Sequence, residues 1–405
     1  MCIRDRHIFD SIMKTIDDFN FKDKKVLIRV DFNVPLENGK VIDSTRIRSA
    51  VPTILKILQD GGACILMSHL GRPNGFEKRL SLIQIKSVLD NILAIKTKFC
   101  EDCIGKLAKE ASDKLSMGEV LILENLRFYN EETKGDEMFS KKLSQLADCY
   151  INDAFGTAHR PHASTTVVAK HFVNKFIGKL LEKEVLAIKR VISNGKSPIL
   201  AVLGGSKISS KIPIIENIID KVDDIIIGGG MAFTFIKALG GKIGQSIHED
   251  SMLKKSLSIL KLAKEKNTKI HLPVDVVCAK EFKEGADSKV FSINSIPDEY
   301  EGLDSGPKSV EKFKQIILSS STILWNGPVG VFELNSFSKG TKEIGEAIAE
   351  STKNGAFSLV GGGDSVSAVK KFKLEKDVSY VSTGGGAMLE SLEGKILPGI
   401  SALAK

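Results

Sequence analysis

Short apolar runs ending in polar or glycine-rich turns alternate with amphipathic stretches along nearly the whole chain, and this alternation restricts the fold more than any other feature. Residues 25–30 (KVLIRV) read as a strand that runs into the polar loop Asp31-Phe32-Asn33-Val34-Pro35. Residues 46–58 then place Ile47, Val51, Ile54, Leu55 and Leu58 on one helical stripe. Residues 63–68, 120–123 and 149–152 read as further strands, and 81–93 as a helix. After a long helix over 180–193, stopped by Asn194-Gly195-Lys196-Ser197-Pro198, the pattern restarts. Strands are expected at 199–203, 225–227, 270–277, 322–325, 356–360 and 378–381, nearly all ending at a glycine or proline turn. Repeated strand–helix units call for parallel sheets with helices on both faces. A chain of 405 residues exceeds a single core. The expected fold is therefore α/β, with two doubly wound, Rossmann-like domains joined by a long helix and forming two lobes with a central cleft. The expected divisions are an amino-terminal domain over 13–180, a connecting helix over 181–197 and a carboxy-terminal domain over 198–388, with 389–405 as a tail. Residues 1–12 (MCIRDRHIFDSI) match neither a signal segment nor a helix and are expected to be a disordered extension ahead of Met13.

Ligands of such sheets bind beyond the carboxyl ends of the strands, and the polar motifs sit there: Asp31 and Asn33, His69 and Arg72, Arg127, His159 and Arg160. The chemistry differs between the halves. All ten arginines fall in the first 190 residues. The remainder instead carries five glycine-dense turns, at 203–207 (LGGSK), 227–231 (IGGGM), 326–330 (NGPVG), 360–365 (VGGGDS) and 382–387 (STGGGA). Arginine grips carboxylate or phosphate oxygens two at a time. Glycine lets backbone amides and a helix N-terminus approach a phosphate. One kind in each half predicts two anionic ligands and a reaction between them.

The net charge of +8 is mild for this length, the lysines are scattered and aromatics make up only 6%, which argues against a nucleic-acid partner. No apolar run is long enough to span a membrane. The six cysteines are irregularly spaced; Cys100 and Cys103 form a lone CxxC with no second pair, read as two structural thiols rather than a zinc or redox site. Reduced thiols suit a cytoplasmic protein. A phosphate-binding P-loop and the GxGxxG of dinucleotide folds are both absent, which weighs against a nicotinamide-dependent dehydrogenase. No GxSxG or Cys/His arrangement offers a nucleophile, so direct transfer between two bound substrates fits better than a covalent intermediate.

Several residues carry two readings. Lys207 and Lys211, four apart and expected on one face at a helix start, either bracket an anion or are solvated surface lysines. Asp364, alone among phosphate-cradling amides, either meets a magnesium–nucleotide or caps a helix. His69, His159 and His162 either take part in the site or are structural hydrogen-bonders. Arg29 reads as a residue inside a strand.

The chain resembles the phosphoglycerate kinases from about Met13 to Lys405. The likeness is carried by RVDFNVP (29–35), SHLGRP (68–73), LENLRF (123–128), NDAFGTAHR (152–160), LGGSK (203–207), IGGGMAFTF (227–235), LPVD (272–275), WNGPVGVFE (325–333), GGGDS (361–365), STGGGA (382–387) and LEGKILPG (392–399). The resemblance implies reversible phosphoryl transfer from 1,3-bisphosphoglycerate to MgADP, giving 3-phosphoglycerate and MgATP, by a cytoplasmic monomer whose lobes close. It implies a glycerate site of Asp31, Phe32, Asn33, Arg46, His69, Leu70, Gly71, Arg72, Arg127 and Arg160. It implies a nucleotide site of Lys211, Gly302, Asn326, Glu333, Gly362, Gly363, Asp364 and Ser365, with Asp364 meeting Mg²⁺. Arg46 and Lys207 are expected to neutralise the transferring group, the turn near Thr383 and the 180–193 helix to act as hinges, and the tail to return to the first lobe. Ser206 and Ser210 stand where the family often has alanine and aspartate.

Overall fold

The computed structural model describes residues 13–404, so the reading of residues 1–12 lies outside it. The described residues divide into two compact units, one comprising residues 13–185 with 396–404 and the other Leu186–Lys395. The boundary falls inside the helix Lys179–Ile192 rather than at either of its ends.

The first unit is built on six parallel strands: β1 (Lys25–Val30), β2 (Ala63–Met67), β3 (Lys98–Cys100), β4 (Val120–Leu123), β5 (Cys149–Asp153) and β6 (Lys175–Ile177). They run in the order β3-β4-β2-β1-β5-β6. β2, β4 and β5 are buried along their whole length, as expected where helices cover both faces of a parallel sheet. Val26, Ile28 and Val30 pack in one core with Ile47, Ile54 and Ile57 of the helix Thr45–Gln59 and with Ile85 and Leu89 of the helix Ile83–Leu93. The short strands β3 and β6 escape a reading based on apolar runs, because each has only three residues and one of them is a lysine. The end of the chain belongs to this unit. Gly399 donates its amide to the Ala158 carbonyl (2.8 Å) and accepts from Asn152 Nδ2 (3.1 Å), and Lys175 Nζ donates to the Ala402 carbonyl (2.9 Å).

The second unit holds β7 (Ile199–Leu203), β8 (Asp224–Ile227), β9 (Lys269–His271), β10 (Asp275–Ala279), β11 (Ser288–Ser292), β12 (Glu301–Ser305), β13 (Thr322–Asn326), β14 (Phe357–Val360) and β15 (Tyr380–Val381). Its parallel sheet runs β9-β8-β7-β13-β14-β15. Counted along that sheet alone the order is 3-2-1-4-5-6, the doubly wound arrangement whose direction reverses between its first and fourth strands. The single strand expected over 270–277 is corrected here. Leu272, Pro273 and Val274 break it, because proline has no amide for a ladder. Its first half edges the parallel sheet as β9. Its second half is β10, the middle of a separate antiparallel sheet in the order β11-β10-β12. Among the described residues no helix is long and apolar enough to cross a membrane.

Candidate functional site

In the first unit the loops after β1, β2, β4 and β5 bring the expected polar residues to one end of the sheet. Arg46, in the first turn of its helix, donates from Nη1 to Asp31 Oδ2 at 2.9 Å and to the Asn33 carbonyl at 3.2 Å. Asp31 is only 5% exposed and also accepts from the Asn33 amide. Gly71 joins two groups of residues. Its amide donates to Asn33 Oδ1 (2.8 Å) and its carbonyl accepts from Arg127 Nη1 (2.7 Å). Arg127 then lines, with Arg72, Arg160 and His162, a basic cavity of about 340 Å³. Crowding of cations shows in the titration of these groups. Burial, and then Arg29, Arg127, Arg46 and His162, hold His69 well below the ordinary histidine range. Burial and the neighbouring arginines bring His162 down to about 4, and burial followed by Arg29 brings Arg127 down to about 10. Burial is the larger cause in each case and the neighbouring cations add to it, so the chemistry of this cavity suits an anion.

Phe32 and Leu70 are placed differently. Their side chains belong to the hydrophobic core, the Phe32 amide donates to Ser68 Oγ, and the Leu70 amide and carbonyl are held by Asn125. Arg29, read from sequence only as a strand residue, lies directly behind the site with Nη2 on His69 Nδ1 at 3.2 Å. His162, Tyr129, Asn130 and Thr133 also line the cavity. A cation inside an apolar strand was the available signal for Arg29; Tyr129, Asn130 and Thr133 carried none.

In the second unit the turn after β7 meets the turn after β13 where the strand order reverses. Gly204 and Gly327 are in backbone contact there. A Cβ on Gly204 would lie 2.0 Å from the Pro328 carbonyl oxygen, and one on Gly327 2.1 Å from that of Gly204. Only glycine permits this approach. Beside the two turns lies a cavity of about 440 Å³, lined among others by Gly205, Gly229, Phe233, Val276, Gly302, Glu333 and Asp364. Gly302, Glu333 and Asp364 thus face one space.

Lys211, Asn326, Gly362 and Ser365 form a second group. Lys211 Nζ donates to Asn326 Oδ1, Asn326 Nδ2 donates to the Gly361 carbonyl (2.6 Å) and Ser365 Oγ accepts from the Gly327 amide (2.6 Å). Burial lowers the Lys211 ammonium below its ordinary range while Asp364 pulls it back. Gly362 has φ +92° and leads Gly363, Asp364 and Ser365 into the first turn of the helix Gly363–Lys371. The helix cap is Gly362, so the capping reading of Asp364 is set aside.

The two lysines are not on one face at a helix start. Lys207 is exposed in the turn ahead of the helix Ile212–Ile218, and Lys211 is the residue preceding that helix. Glu249 fixes this turn. It accepts from the Ser209 amide (2.9 Å) and hydroxyl (2.7 Å), and these bonds with the charge of Lys207 outweigh its desolvation and hold it below the usual carboxylate range. The five cysteines in the described residues are buried and free, Cys100 and Cys103 included. No cluster of three or more His, Cys, Asp or Glu suited to a metal occurs among the described residues.

Asp304, which also lines the larger cavity, gives a prediction of its own. Burial pushes its carboxyl up to about 7, against amide donors from Gly340 and Ser305. The folded state therefore keeps this proton up to about pH 7, whereas an unfolded aspartate loses it near 4. Between those values the native state binds more protons, so its stability falls as pH rises, by on the order of 4 kcal/mol in all. Asp304→Asn cannot titrate and keeps one amide acceptor. Its stability relative to the parent should improve steadily from about pH 4 to about pH 7 and then level off in thermal melts; parallel pH profiles would contradict this.

Two doubly wound parallel sheets, one with arginines at its strand ends and the other with glycine-lined amides, define an α/β phosphotransferase. The comparisons make that class specific. The phosphoglycerate kinase family model matches residues 16–395. A phosphoglycerate kinase of Porphyromonas gingivalis is 51% identical over 96% of this chain and 99% of that protein. One from Thermosipho africanus is 47% identical over 96% and 97%. The solved phosphoglycerate kinase of Coxiella burnetii is 40% identical with a TM-score of 0.90, covering 97% of this chain and all of that one. That of Pyrococcus horikoshii is 32% identical with a TM-score of 0.81, covering 96% and 98%. The chain belongs to the phosphoglycerate kinase family and is a kinase of glycolysis, reversibly moving a phosphoryl group between 1,3-bisphosphoglycerate and ADP.

Proposed function

We propose that the first unit holds the glycerate ligand through Asp31, Asn33, Arg46, His69, Gly71, Arg72, Arg127 and Arg160, and that the second holds the magnesium nucleotide along the turns after β7, β13 and β14. The observation that carries this reading is that each set lies at the carboxyl ends of its own parallel sheet, the second where strand order reverses between β7 and β13. The amides of Gly363, Asp364 and Ser365 open a helix, where phosphate is favoured. Lys211 and Asn326 stand beside them. A lone carboxylate, Asp364, suits a magnesium ion that arrives with the nucleotide and takes most of its ligands from phosphate oxygens and water. Phe32 and Leu70 serve by shaping the loops from beneath.

The reaction needs no nucleophile from the protein. A β-phosphate oxygen of ADP bonds to the phosphorus of the acyl phosphate as the bond to the carboxyl oxygen breaks, and the electron pair leaves with 3-phosphoglycerate as its carboxylate. No proton has to move. The chain's part is to align the oxygens in line and neutralise charge on the transferring group, with Arg46 and Lys207 in that role. The acyl phosphate would hydrolyse if water entered, so the two ligand sets must approach one another during turnover. Each set is complete within one chain, in keeping with a monomer, and the enzyme's place in glycolysis, together with its free thiols, is in keeping with the cytoplasm.

Ligand-dependent melting tests the nucleotide half. MgADP at one hundred times its Kd should stabilise the fold by about 2.7 kcal/mol and raise the melting temperature, whereas NAD at the same concentration should leave it unchanged. Stabilisation by NAD alone would contradict the reading.

A further inference from the structure

Behind the glycerate side chains lies a buried relay of charged and hydroxyl groups that the reaction does not call on directly. Arg29 has no exposed surface. Its guanidinium donates to the Val30 carbonyl, from Nε to Ser164 Oγ at 2.8 Å and from Nη2 to His69 Nδ1 at 3.2 Å. Ser164 passes the contact on to Glu132, itself fully buried in the short helix Asn130–Lys134. The Ser164 hydroxyl lies 2.6 Å from Glu132 Oε1 and its amide 2.9 Å from Oε2.

The protons in this relay are determined by chemistry. A carboxylate only accepts, so the single Ser164 hydroxyl proton points to Glu132 and an oxygen lone pair receives Arg29 Nε–H. A guanidinium only donates, so His69 Nδ1 must present its lone pair, and the ring proton resides on Nε2. Asp31 Oδ1, 4.0 Å from the same Nδ1, is beyond hydrogen-bond reach and does not compete. Arg127 and Arg46 add positive charge around the ring, which favours the neutral form.

We propose that Glu132 and Ser164 are positioning residues of the glycerate site: acting through Arg29, they lock His69 as the neutral Nε2–H tautomer, so that it offers the anionic ligand a hydrogen-bond donor. Glu132 supplies the counter-charge a buried guanidinium requires, and Ser164 sets its orientation. The inference rests on the reading that the first unit binds the glycerate ligand.

The test is ¹⁵N NMR of the full-length enzyme carrying labelled histidine, with Ser164→Ala and Glu132→Gln beside the parent. The parent at neutral pH should show His69 with Nδ1 unprotonated and Nε2 protonated. Ser164→Ala keeps the amide contact to Glu132 but removes the link to Arg29. It should show mixed tautomers at His69 and raise KM for 3-phosphoglycerate on the order of ten-fold, the scale of one lost charge-assisted hydrogen bond. Glu132→Gln, which keeps an acceptor but loses the charge, should shift His69 in the same direction by less. A parent spectrum with Nδ1 protonated, or a His69 signal identical in Ser164→Ala, would overturn the relay. If the parent tautomer is as stated but 3-phosphoglycerate leaves the His69 signal unmoved, the glycerate-site reading fails and the relay stands.

Discussion

Arg46→Ala should lower turnover by about 10²–10³, on the order of 3–4 kcal/mol of barrier, the loss expected when one preorganised charge donor is removed. The size follows from how Arg46 is held. Asp31 and the Asn33 carbonyl take one nitrogen of its fork, Asp31 is itself fixed by the Asn33 amide, and the side chain remains 36% exposed. These bonds fix one side of the fork and leave its other donors for the transferring group, the role proposed for Arg46. Arg46→Lys should recover only part of the loss, because an ammonium cannot engage Asp31 and the transferring group with the same planar geometry. Steady-state rates with 1,3-bisphosphoglycerate and MgADP measure this. Near-native turnover in Arg46→Ala would remove the residue from the chemistry.

Lys207→Ala should be of comparable severity, with the loss in kcat rather than in nucleotide KM. Lys207 and Lys211 look equivalent in sequence but differ in the structure. Lys211 is partly buried and committed to Asn326. Lys207 is exposed on a turn clamped through Ser209 by Glu249, so its base is fixed while its ammonium can reach. Removing Lys211 should instead weaken nucleotide binding. If Arg46 and Lys207 neutralise the same group, the double variant should lose less than the sum of the single losses. Strict additivity would separate their roles.

The sequence allowed much of this to be read because the residues concerned sit where pattern and chemistry coincide. Strand β7 was legible to the residue, its five apolar residues bounded by the 194–198 stop and by Gly204. The strand-end positions of Asp31, His69, Arg127 and Arg160 followed from the alternation alone. What stayed hidden depends on contacts distant in sequence. Pro273 splits one apolar run between two sheets, and nothing local shows that the second half turns to an antiparallel partner. The inequality of Lys207 and Lys211 is set by Asn326 and Glu249, on other elements. Arg29 was visible only as a cation in an apolar strand; its partner Ser164, and Glu132 which Ser164 contacts in turn, lie more than a hundred residues away. Phe32 and Leu70 stand inside motifs whose polar members line the site, yet alternation turns their side chains into the core.

Calorimetric titration of each ligand against variants of each unit tests most directly the central claim, that arginines of the first unit and glycine-lined amides of the second bind different halves of one exchange. Arg127→Ala should weaken 3-phosphoglycerate by on the order of ten-fold or more, as for one charge-assisted hydrogen bond lost at a phosphate, and leave MgADP unchanged. Gly362→Ala, whose new Cβ would lie 2.5 Å from Asn326 Nδ2, should weaken MgADP and leave 3-phosphoglycerate unchanged. A crossed result, with MgADP lost in Arg127→Ala or 3-phosphoglycerate lost in Gly362→Ala, would contradict the account.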